Sequence, residues 1–317
     1  MPFAKEKRIL VTGGAGLIGS ALCARLVAEG HDVICLDNFS IGSKRNIHTL
    51  LGKPGFEVIR RDVTLPVLLE VDQIYHLACP PSTRQRRIKP VETTKTCALG
   101  SIHLLELAQR VNAKILLASS AQVYLKPEEL LRTQSHPQNT GAPDAGIFHR
   151  QGNRCAEILF FGYHQQYKLD IRIARIFSTF GPGMKTHGGS VVADFINHAL
   201  KDEDLTVYGD GSQTRPFCFV DDIVEGLLLI MNGPDDLIGP LDLGNPSEIS
   251  IFDLAQSIIQ LSGSRSGIIF EPLQEDGPLS LHPDIKLAQR RLKWHPQGNI
   301  MPGLERTIEY FRARAET

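Results

Sequence analysis

The sequence has little excess charge and no long apolar run. Its formal net charge at pH 7 is −1, which gives no electrostatic reason to expect nucleic acid or an anionic membrane as a partner. No apolar stretch approaches the length of a membrane span, and residues 1–7 lack the apolar region of a signal peptide. We therefore expect a cytoplasmic protein whose partners are small molecules.

Cysteine pairs of the Cys-x-x-Cys type are also absent, as are internal repeats, low-complexity tracts and linkers. The six cysteines lie singly, several of them inside apolar runs, which indicates buried reduced thiols. We expect no metal site. What the sequence does have is 317 residues, of which 42% are hydrophobic, and this is enough to bury a large core.

Three spaced glycines, Gly13, Gly16 and Gly19, follow the first apolar run at residues 8–12. Glycines at this spacing suit a tight turn from strand to helix, a close approach of the backbone to a pyrophosphate, and close packing of the helix on the strand. A second apolar run ends at Asp37, whose carboxylate can accept both hydroxyls of an adenosine ribose and would repel a 2′-phosphate. The pattern predicts a site for NAD rather than NADP.

Asp62 follows a third apolar run and is expected to lie beside the adenine, although a plain turn residue is the alternative. The residues that we expect to contact the cofactor are Gly13, Gly16, Leu17, Ile18, Gly19, Asp37, Asn38, Asp62, Val63, Leu77 and Lys95.

Apolar runs alternate with stretches of helical periodicity, which predicts a parallel, doubly wound sheet of the Rossmann type with a smaller C-terminal lobe. The expected strands after residues 8–12 are 33–37, 57–61, 73–78, 114–118 and 170–175, and the expected helices are 17–29, 91–111 and 149–167. We assign residues 1–178 and 217–247 to the NAD-binding domain, and residues 179–216 and 248–317 to a substrate-binding lobe.

Several short motifs accompany the glycines. They are residues 12–19, Asp37 with Asn38, residues 76–78, residues 175–177, residues 180–182 and residues 209–215. Together they resemble the extended short-chain dehydrogenase/reductases, over about residues 8–312. Within that group the chain looks most like the UDP-glucuronate decarboxylases, which residues 37–39, 116–119 and 245–246 also resemble.

The resemblance implies a reaction in which bound NAD oxidises the C4 hydroxyl of the sugar. The β-keto acid then loses carbon dioxide, because the new ketone stabilises the carbanion, and NADH reduces the ketone again. In the family the base at C4 is the Tyr of a Tyr-x-x-x-Lys pair. The Lys lowers the pKa of the Tyr and holds the nicotinamide ribose, and a Ser or Thr lies beside them.

This sequence departs from the family at that pair. The Tyr position falls on His149 and the Lys position on Asn153, while Ser120 keeps the hydroxyl and Gln122 replaces a family Glu. An imidazole, whose ordinary pKa is about 6.5, can accept a hydroxyl proton near pH 7, so His149 is the candidate base. The alternatives are a half-exposed His149 without chemistry, and Tyr124 as a phenol donor. The candidate catalytic residues are Ser120, Gln122, His149 and Asn153.

Substrate recognition differs as well. Arg215 stands where the family holds the UDP pyrophosphate, and we expect Tyr208 and Ser178 near the substrate. Two other basic positions of the family fall on Leu281 and Ser190. Losing two charge-assisted hydrogen bonds would weaken diphosphate binding by about 3–6 kcal/mol. The cations that could compensate are Lys185, His187, His282 and Arg265.

Three functions therefore remain open. The protein is an NAD-dependent enzyme acting on a nucleotide sugar or related polyol with His149 as base, a catalytically degenerate NAD-binding regulator, or a scaffold turned to non-redox chemistry. The resemblance also implies a homodimer formed by helices 91–111 and 149–167. Their apolar residues exceed what one buried face needs, which supports a covered second face.

Overall fold

The computed structural model describes residues 6–79, 89–124, 145–185, 190–272 and 281–315, so that His187 lies outside the described residues. Helices and strands alternate through the first half of this part of the chain, as the sequence predicts. The helices are α1 (Leu17–Ala28), α2 (Pro90–Val111), α3 (Ala145–Tyr167), α4 (Val191–Ala199), α5 (Val220–Met231), α6 (Ile251–Ser262), α7 (Lys286–Leu292) and α8 (Met301–Ala315).

Most of the strands are short. They are β1 (Arg8–Thr12), β2 (Asp32–Asp37), β3 (Phe56–Arg60), β4 (Gln73–His76), β5 (Lys114–Ser120), β6 (Ile171–Ile176), β7 (Thr179–Phe180), β8 (Leu205–Tyr208), β9 (Thr214–Arg215), β10 (Cys218–Phe219), β11 (Leu241–Leu243), β12 (Ile249–Ser250) and β13 (Ile268–Glu271).

Seven strands form one sheet in the order β11-β6-β5-β4-β1-β2-β3. The central strand β1 is parallel to both neighbours, with Val11 in register with Cys35 of β2 and with Tyr75 of β4. These strands are almost completely buried, because helices in a doubly wound sheet cover both faces. The structure confirms the predicted Rossmann-type fold.

The chain divides into two compact units. The first comprises Met1–Ala15, Cys23–Arg175 and Pro234–Pro240, and the second comprises Gly16–Leu22, Ile176–Gly233 and Leu241–Thr317. In this division residues 217–233 and 241–247, which the sequence analysis assigned to the NAD-binding domain, fall in the second unit. Each unit has its own apolar core. The first is built on residues such as Leu10, Ile34, Leu104, Ile115 and Phe160, and the second on residues such as Phe180, Phe195, Leu254, Leu304 and Phe311.

Helix α3 starts one turn earlier than the sequence predicts, at Ala145 rather than at residue 149. It packs along α2, and the contact is close at Gly152, where a Cβ would lie 3.0 Å from both Cβ and Sγ of Cys97. His149 and Asn153 therefore lie within α3 rather than at its end, and both side chains are buried.

None of the helices in the described ranges is both long and apolar enough to cross a membrane. Within the same ranges, no group of three or more His, Cys, Asp and Glu side chains could hold a metal ion.

Candidate functional site

The glycine turn follows β1 and passes close to the end of β4. Gly13 has a φ of +70°, and a Cβ there would lie 2.9 Å from the carbonyl oxygen of Leu77. At Gly14 a Cβ would lie 2.7 Å from Sγ of Cys35. Side chains are therefore excluded from this turn, which leaves its backbone open to a ligand in the way that a pyrophosphate requires.

The helix that follows the turn begins with the other predicted contacts. Gly16, Leu17 and Ile18 are half-buried at the start of α1, and the Gly16 carbonyl accepts the Ser20 N–H at 3.0 Å. Leu17 packs against the apolar core of the second unit. Gly19 is buried in the same first turn.

Asp37 ends β2 with a carboxylate that the backbone holds in place. Its Oδ2 accepts the Ala15 N–H at 3.0 Å, and its Oδ1 accepts the Phe39 N–H at 2.7 Å. Each carboxylate oxygen has a second lone pair, so the group can still accept ribose hydroxyls. The open glycine turn and this fixed acid fit the adenosine half of NAD.

Asp62 and Asn38 lie together next to Asp37, at the carboxyl ends of β2 and β3. The Asn38 amide donates to Oδ2 of Asp62 at 2.7 Å, and the backbone N–H and hydroxyl of Thr64 both donate to its Oδ1. Partial burial alone would raise the pKa of Asp62, but these hydrogen bonds together lower it. Val63 is buried beside this pair, Leu77 is half-buried after β4, and Lys95 is exposed on α2.

His149, Gln122 and Asn153 form one hydrogen-bonded cluster in the first unit. The Nδ1 of His149 lies 3.2 Å from Oε1 of Gln122. An amide oxygen only accepts, so Nδ1 donates in this bond. The Asn153 amide nitrogen lies 3.3 Å from Nε2 of the same ring and 2.8 Å from the His149 carbonyl oxygen. The structure thus brings together three of the four predicted catalytic residues.

Ser120 ends β5, close to Gln122 in sequence, and its Oγ accepts the Gln122 N–H at 3.2 Å. This bond ties the hydroxyl to the turn that carries Gln122. Tyr124 lies under the guanidinium of Arg175, whose carbon is 4.4 Å from the ring centroid. The phenol ring therefore packs against Arg175.

Sequence reasoning missed the buried ion pair behind this cluster. Arg175 donates to both carboxylate oxygens of Glu157, at 2.9 and 2.7 Å, and the Ser119 hydroxyl donates to the same carboxylate at 2.6 Å. The bond to Glu157 raises the pKa of Arg175 despite its partial burial. Because Glu157 lies on α3, the pair fixes that helix against β5 and β6.

A second feature that the sequence did not reveal is a cysteine contact. The sulfur atoms of Cys79 and Cys97 lie 2.9 Å apart, and the Asn153 amide donates to the Cys79 sulfur at 3.3 Å. Spacing along the chain gives no sign of this pair. One signal could have predicted it. Cys79 lies just after β4 and Cys97 lies in the following helix, and consecutive elements of a βαβ unit pack together.

The predicted substrate residues belong to the second unit. Tyr208 ends β8 and is exposed, and its carbonyl accepts the Gln213 amide at 2.7 Å. Arg215 on β9 is half-buried, which lowers its pKa, and donates to the Thr214 carbonyl at 2.8 Å. Ser178 is exposed in the segment between β6 and β7.

Two of the cations considered as replacements have acidic partners. Nδ1 of His282 lies 3.0 Å from Glu248, and Arg265 lies 3.3 Å from Asp202 on an exposed surface. Leu281 is half-buried, and Ser190 is the residue before α4.

Known proteins resemble the chain along nearly its whole length. Residues 9–242 match the NAD dependent epimerase/dehydratase family. The chain is 44% identical over 310 residues to UDP-glucuronic acid decarboxylase 2 of Arabidopsis thaliana, covering 98% of this chain and 69% of that protein. It is 43% identical over 311 residues to UDP-glucuronic acid decarboxylase 1 of Danio rerio, covering 98% of this chain and 74% of that protein.

Solved structures agree with these relatives. An epimerase from Methanothermobacter thermautotrophicus has a TM-score of 0.84 and 28% identity, covering 98% of this chain and 94% of the other. UDP-glucuronic acid 4-epimerase from Bacillus cereus, solved with UDP-glucuronic acid and NAD, has a TM-score of 0.83 and 26% identity, covering 97% and 99%. The predicted resemblance to decarboxylases, the enzyme class and NAD as cofactor are confirmed. The chain belongs to the NAD dependent epimerase/dehydratase family.

Proposed function

We propose that the protein is an NAD-dependent enzyme that modifies a nucleotide sugar, with His149 as the base that takes the proton of a sugar hydroxyl. The observation that carries the proposal is the hydrogen-bonded cluster of Gln122, His149 and Asn153, at the positions where the resemblance places the proton-handling groups of the family. Bound NAD would supply the hydride acceptor, and later the hydride donor, for such a reaction.

Hydrogen bonding around His149 supports a base at Nε2. The Asn153 amide has two hydrogens for three acceptors, namely the His149 carbonyl at 2.8 Å and both Nε2 and the Cys79 sulfur at 3.3 Å. The carbonyl takes the shortest of these bonds, so one hydrogen is shared between Nε2 and sulfur. We propose that Nε2, which faces the Asn153 amide, is the nitrogen that takes the proton of a substrate hydroxyl.

The two halves of the cofactor would be held unequally. Gly13, Gly16 and Asp37 keep the features that suit an adenosine diphosphate. Asn153, in contrast, is 1% exposed and its amide hydrogens are directed at acceptors within the protein. A lysine that grips the nicotinamide ribose in the family has no equivalent at this position, so we propose firmer binding of the adenosine half.

We propose Arg215, Tyr208 and Ser178 as substrate contacts. Arg215 would meet the diphosphate because its planar guanidinium can donate to two phosphate oxygens at once. With Leu281 and Ser190 at the other two basic positions of the family, we expect weaker binding of a UDP-sugar than in the relatives.

We further propose a homodimer in the cytoplasm. Helices α2 and α3 pack together and carry apolar side chains that face solvent in the single chain, with Leu99 38%, Ile158 71% and Phe161 39% exposed. A cavity of about 400 Å³ opens on the same helices, lined in part by Ala98, Ile147 and Phe148. A second copy would cover this surface.

The state of the cysteines supports the cytoplasmic location. All six cysteines are thiols, which suits a reducing compartment.

The non-redox alternative also has one supporting observation, because a cysteine beside a histidine is typical of nucleophilic sites and Cys79 lies beside His149. The deciding experiment incubates the wild-type protein with NAD and UDP-glucuronate and records NADH fluorescence and released carbon dioxide. Carbon dioxide release that requires NAD supports the proposed function. Tight NAD binding with neither signal for any nucleotide sugar would favour a regulatory or non-redox role.

A further inference from the structure

Cys79 and Cys97 approach each other more closely than packing alone requires. Their sulfur atoms are 2.9 Å apart, whereas the bond of a disulfide is about 2.0 Å long. Cys97 is buried in α2, and Cys79 is partly exposed in the segment after β4. Forming a disulfide would require the two sulfur atoms to move together by about one ångström.

The two thiols are chemically unequal. The hydrogen bond between the two sulfur atoms and the bond from the Asn153 amide lower the pKa of Cys79 well below its usual range, although burial opposes the shift. The same bond and burial raise the pKa of Cys97. Cys79 is therefore the more readily ionised thiol of the pair.

The other cysteines lack this combination. Cys23 and Cys35 are both buried and hydrogen-bonded to each other, and burial raises the pKa of Cys23. Cys155, on α3, is exposed. An oxidant can reach Cys155 in the single chain, but the activated thiol and the second sulfur that could trap its oxidised form occur together at Cys79 and Cys97.

We propose that Cys79 and Cys97 form a peroxide-reactive dithiol site, in which Cys79 is oxidised first and Cys97 closes a disulfide. The Cys79 thiolate attacks one oxygen of hydrogen peroxide, the O–O bond breaks, and Cys79 becomes a sulfenic acid while hydroxide leaves. The Cys97 sulfur then attacks the Cys79 sulfur, its proton and the sulfenic hydroxyl leave as water, and the disulfide forms. The two sulfur atoms lose two electrons in total, and one peroxide is reduced to one water and one hydroxide, which becomes a second water when it takes up the proton that Cys79 released. A small-molecule thiol reverses the change.

The disulfide would alter the neighbouring cluster. It removes the ionisable sulfur that accepts an Asn153 N–H and that lies beside His149. Asn153 then has only His149 acceptors within the cluster. The dithiol site goes beyond the proposed function and does not depend on it, because its oxidation can be measured without substrate or NAD.

The test uses the full chain, first reduced and then exposed to hydrogen peroxide at increasing concentration. Remaining thiols are alkylated, and peptides are mapped by mass spectrometry without reduction. We expect a peptide pair linked through Cys79 and Cys97, and reduction should restore both thiols. Cys79 should be consumed about tenfold faster than Cys155, because it reacts as a thiolate. Oxidation of Cys155 before Cys79, or of Cys79 without a link to Cys97, would overturn the proposal.

Two variants separate the roles of the sulfur atoms. In Cys97→Ser, the sulfenic acid of Cys79 has no partner and should be captured by dimedone, a reagent selective for sulfenic acids. In Cys155→Ser, the matched control on α3, disulfide formation should match the wild type. Absence of a dimedone adduct at Cys79 in folded Cys97→Ser, or loss of the disulfide in Cys155→Ser, would contradict the assignment.

Discussion

His149 and Asn153 stand one helical turn apart on α3, and the Asn153 amide nitrogen lies 2.8 Å from the His149 carbonyl oxygen and 3.3 Å from its ring Nε2. The amide thus steadies the ring from the Nε2 side. On the other side of the ring, Gln122 fixes the protonated Nδ1. The two amides therefore hold the imidazole in one orientation, which a general base requires.

Replacing His149 by alanine should lower kcat for hydroxyl oxidation by about 10²–10⁴-fold, the usual contribution of a positioned general base. Binding of NAD should change little, because the adenosine half contacts other residues. Initial rates of NADH formation and calorimetric titration with NAD measure the two effects.

The matched control is His164→Ala. His164 lies on the same helix, where its Nδ1 bonds to the Leu169 carbonyl. We expect kcat of this variant to stay within about threefold of the wild type, since surface substitutions rarely disturb a distant site. Equal losses in the two variants would mean that His149 acts through helix stability rather than as a base.

Asp37 should exclude NADP. A 2′-phosphate beside this buried carboxylate would meet a repulsion of a few kcal/mol, so that NADP should bind roughly a hundredfold more weakly than NAD. In Asp37→Asn the preference should shrink, because the charge is gone. Asp32→Asn, at the other end of β2 in an exposed pair with Arg8, should keep the wild-type ratio. Equal affinities of the wild type for both cofactors in calorimetry would refute this prediction.

His76 should make the fold sensitive to acid. It is buried between the hydroxyls of Thr12, at 3.0 Å, and Ser101, at 3.4 Å, and burial lowers its pKa to about 4. In the unfolded chain the imidazole has its ordinary pKa of about 6.5, so it takes up a proton more readily than in the folded protein. The folded state is therefore most stable above pH 6.5, and it loses stability as the pH falls towards 4. Between about pH 7 and pH 5 the loss is about 2 kcal/mol in the free energy of unfolding.

Urea unfolding of His76→Asn at the same two pH values checks this account. The variant should be less stable at neutral pH but should lose about 2 kcal/mol less on acidification than the wild type. His103→Asn, on α2 with its ring bonded to the Val63 carbonyl, should keep the wild-type pH dependence. An unchanged pH dependence in His76→Asn would show that other groups carry the acid sensitivity.

The proposed dimer depends on exposed apolar residues of α2 and α3. Ile158→Glu should convert the protein from dimer to monomer at micromolar concentration, because a buried interface would receive an unpaired charge. Light scattering reads the mass, and circular dichroism verifies the fold. Leu68→Glu, at a residue that is 80% exposed outside these helices, should leave the dimer intact. A monomeric wild type would exclude the dimer.

The sequence predicts those features of the fold and the site that are determined by residues close together in the chain. The turn at Gly13 was predictable because it needs only a strand followed by a residue that tolerates positive φ. The acid at Asp37 was predictable because it directly follows the apolar run of the next strand. The bounds of α3 were less certain, since it begins at Ala145 and contains glycine near its start.

Contacts between distant segments could not be predicted in this way. Glu157 and Arg175 lie on separate elements, and their pairing appears only when α3 packs against the sheet. Cys79 and Cys97 appeared as single cysteines for the same reason. Predicting either pair requires the packing angle of a helix on the sheet, which the hydrophobic pattern of one element does not fix.

Restoring the family pair tests how much of the family's chemistry this chain retains. In His149→Tyr with Asn153→Lys, the lysine would enter a site where Asn153 is 1% exposed and borders the Cys79 sulfur. Desolvation of its ammonium costs several kcal/mol and favours an ion pair with sulfur over contact with a ribose. Gln122 would still lack the acidity of a carboxyl group, and Leu281 and Ser190 would still leave the diphosphate without two cations. We therefore expect the double variant to release little carbon dioxide from UDP-glucuronate when NAD is saturating. Robust turnover by this variant would show that His149 and Asn153 alone separate the chain from its decarboxylase relatives.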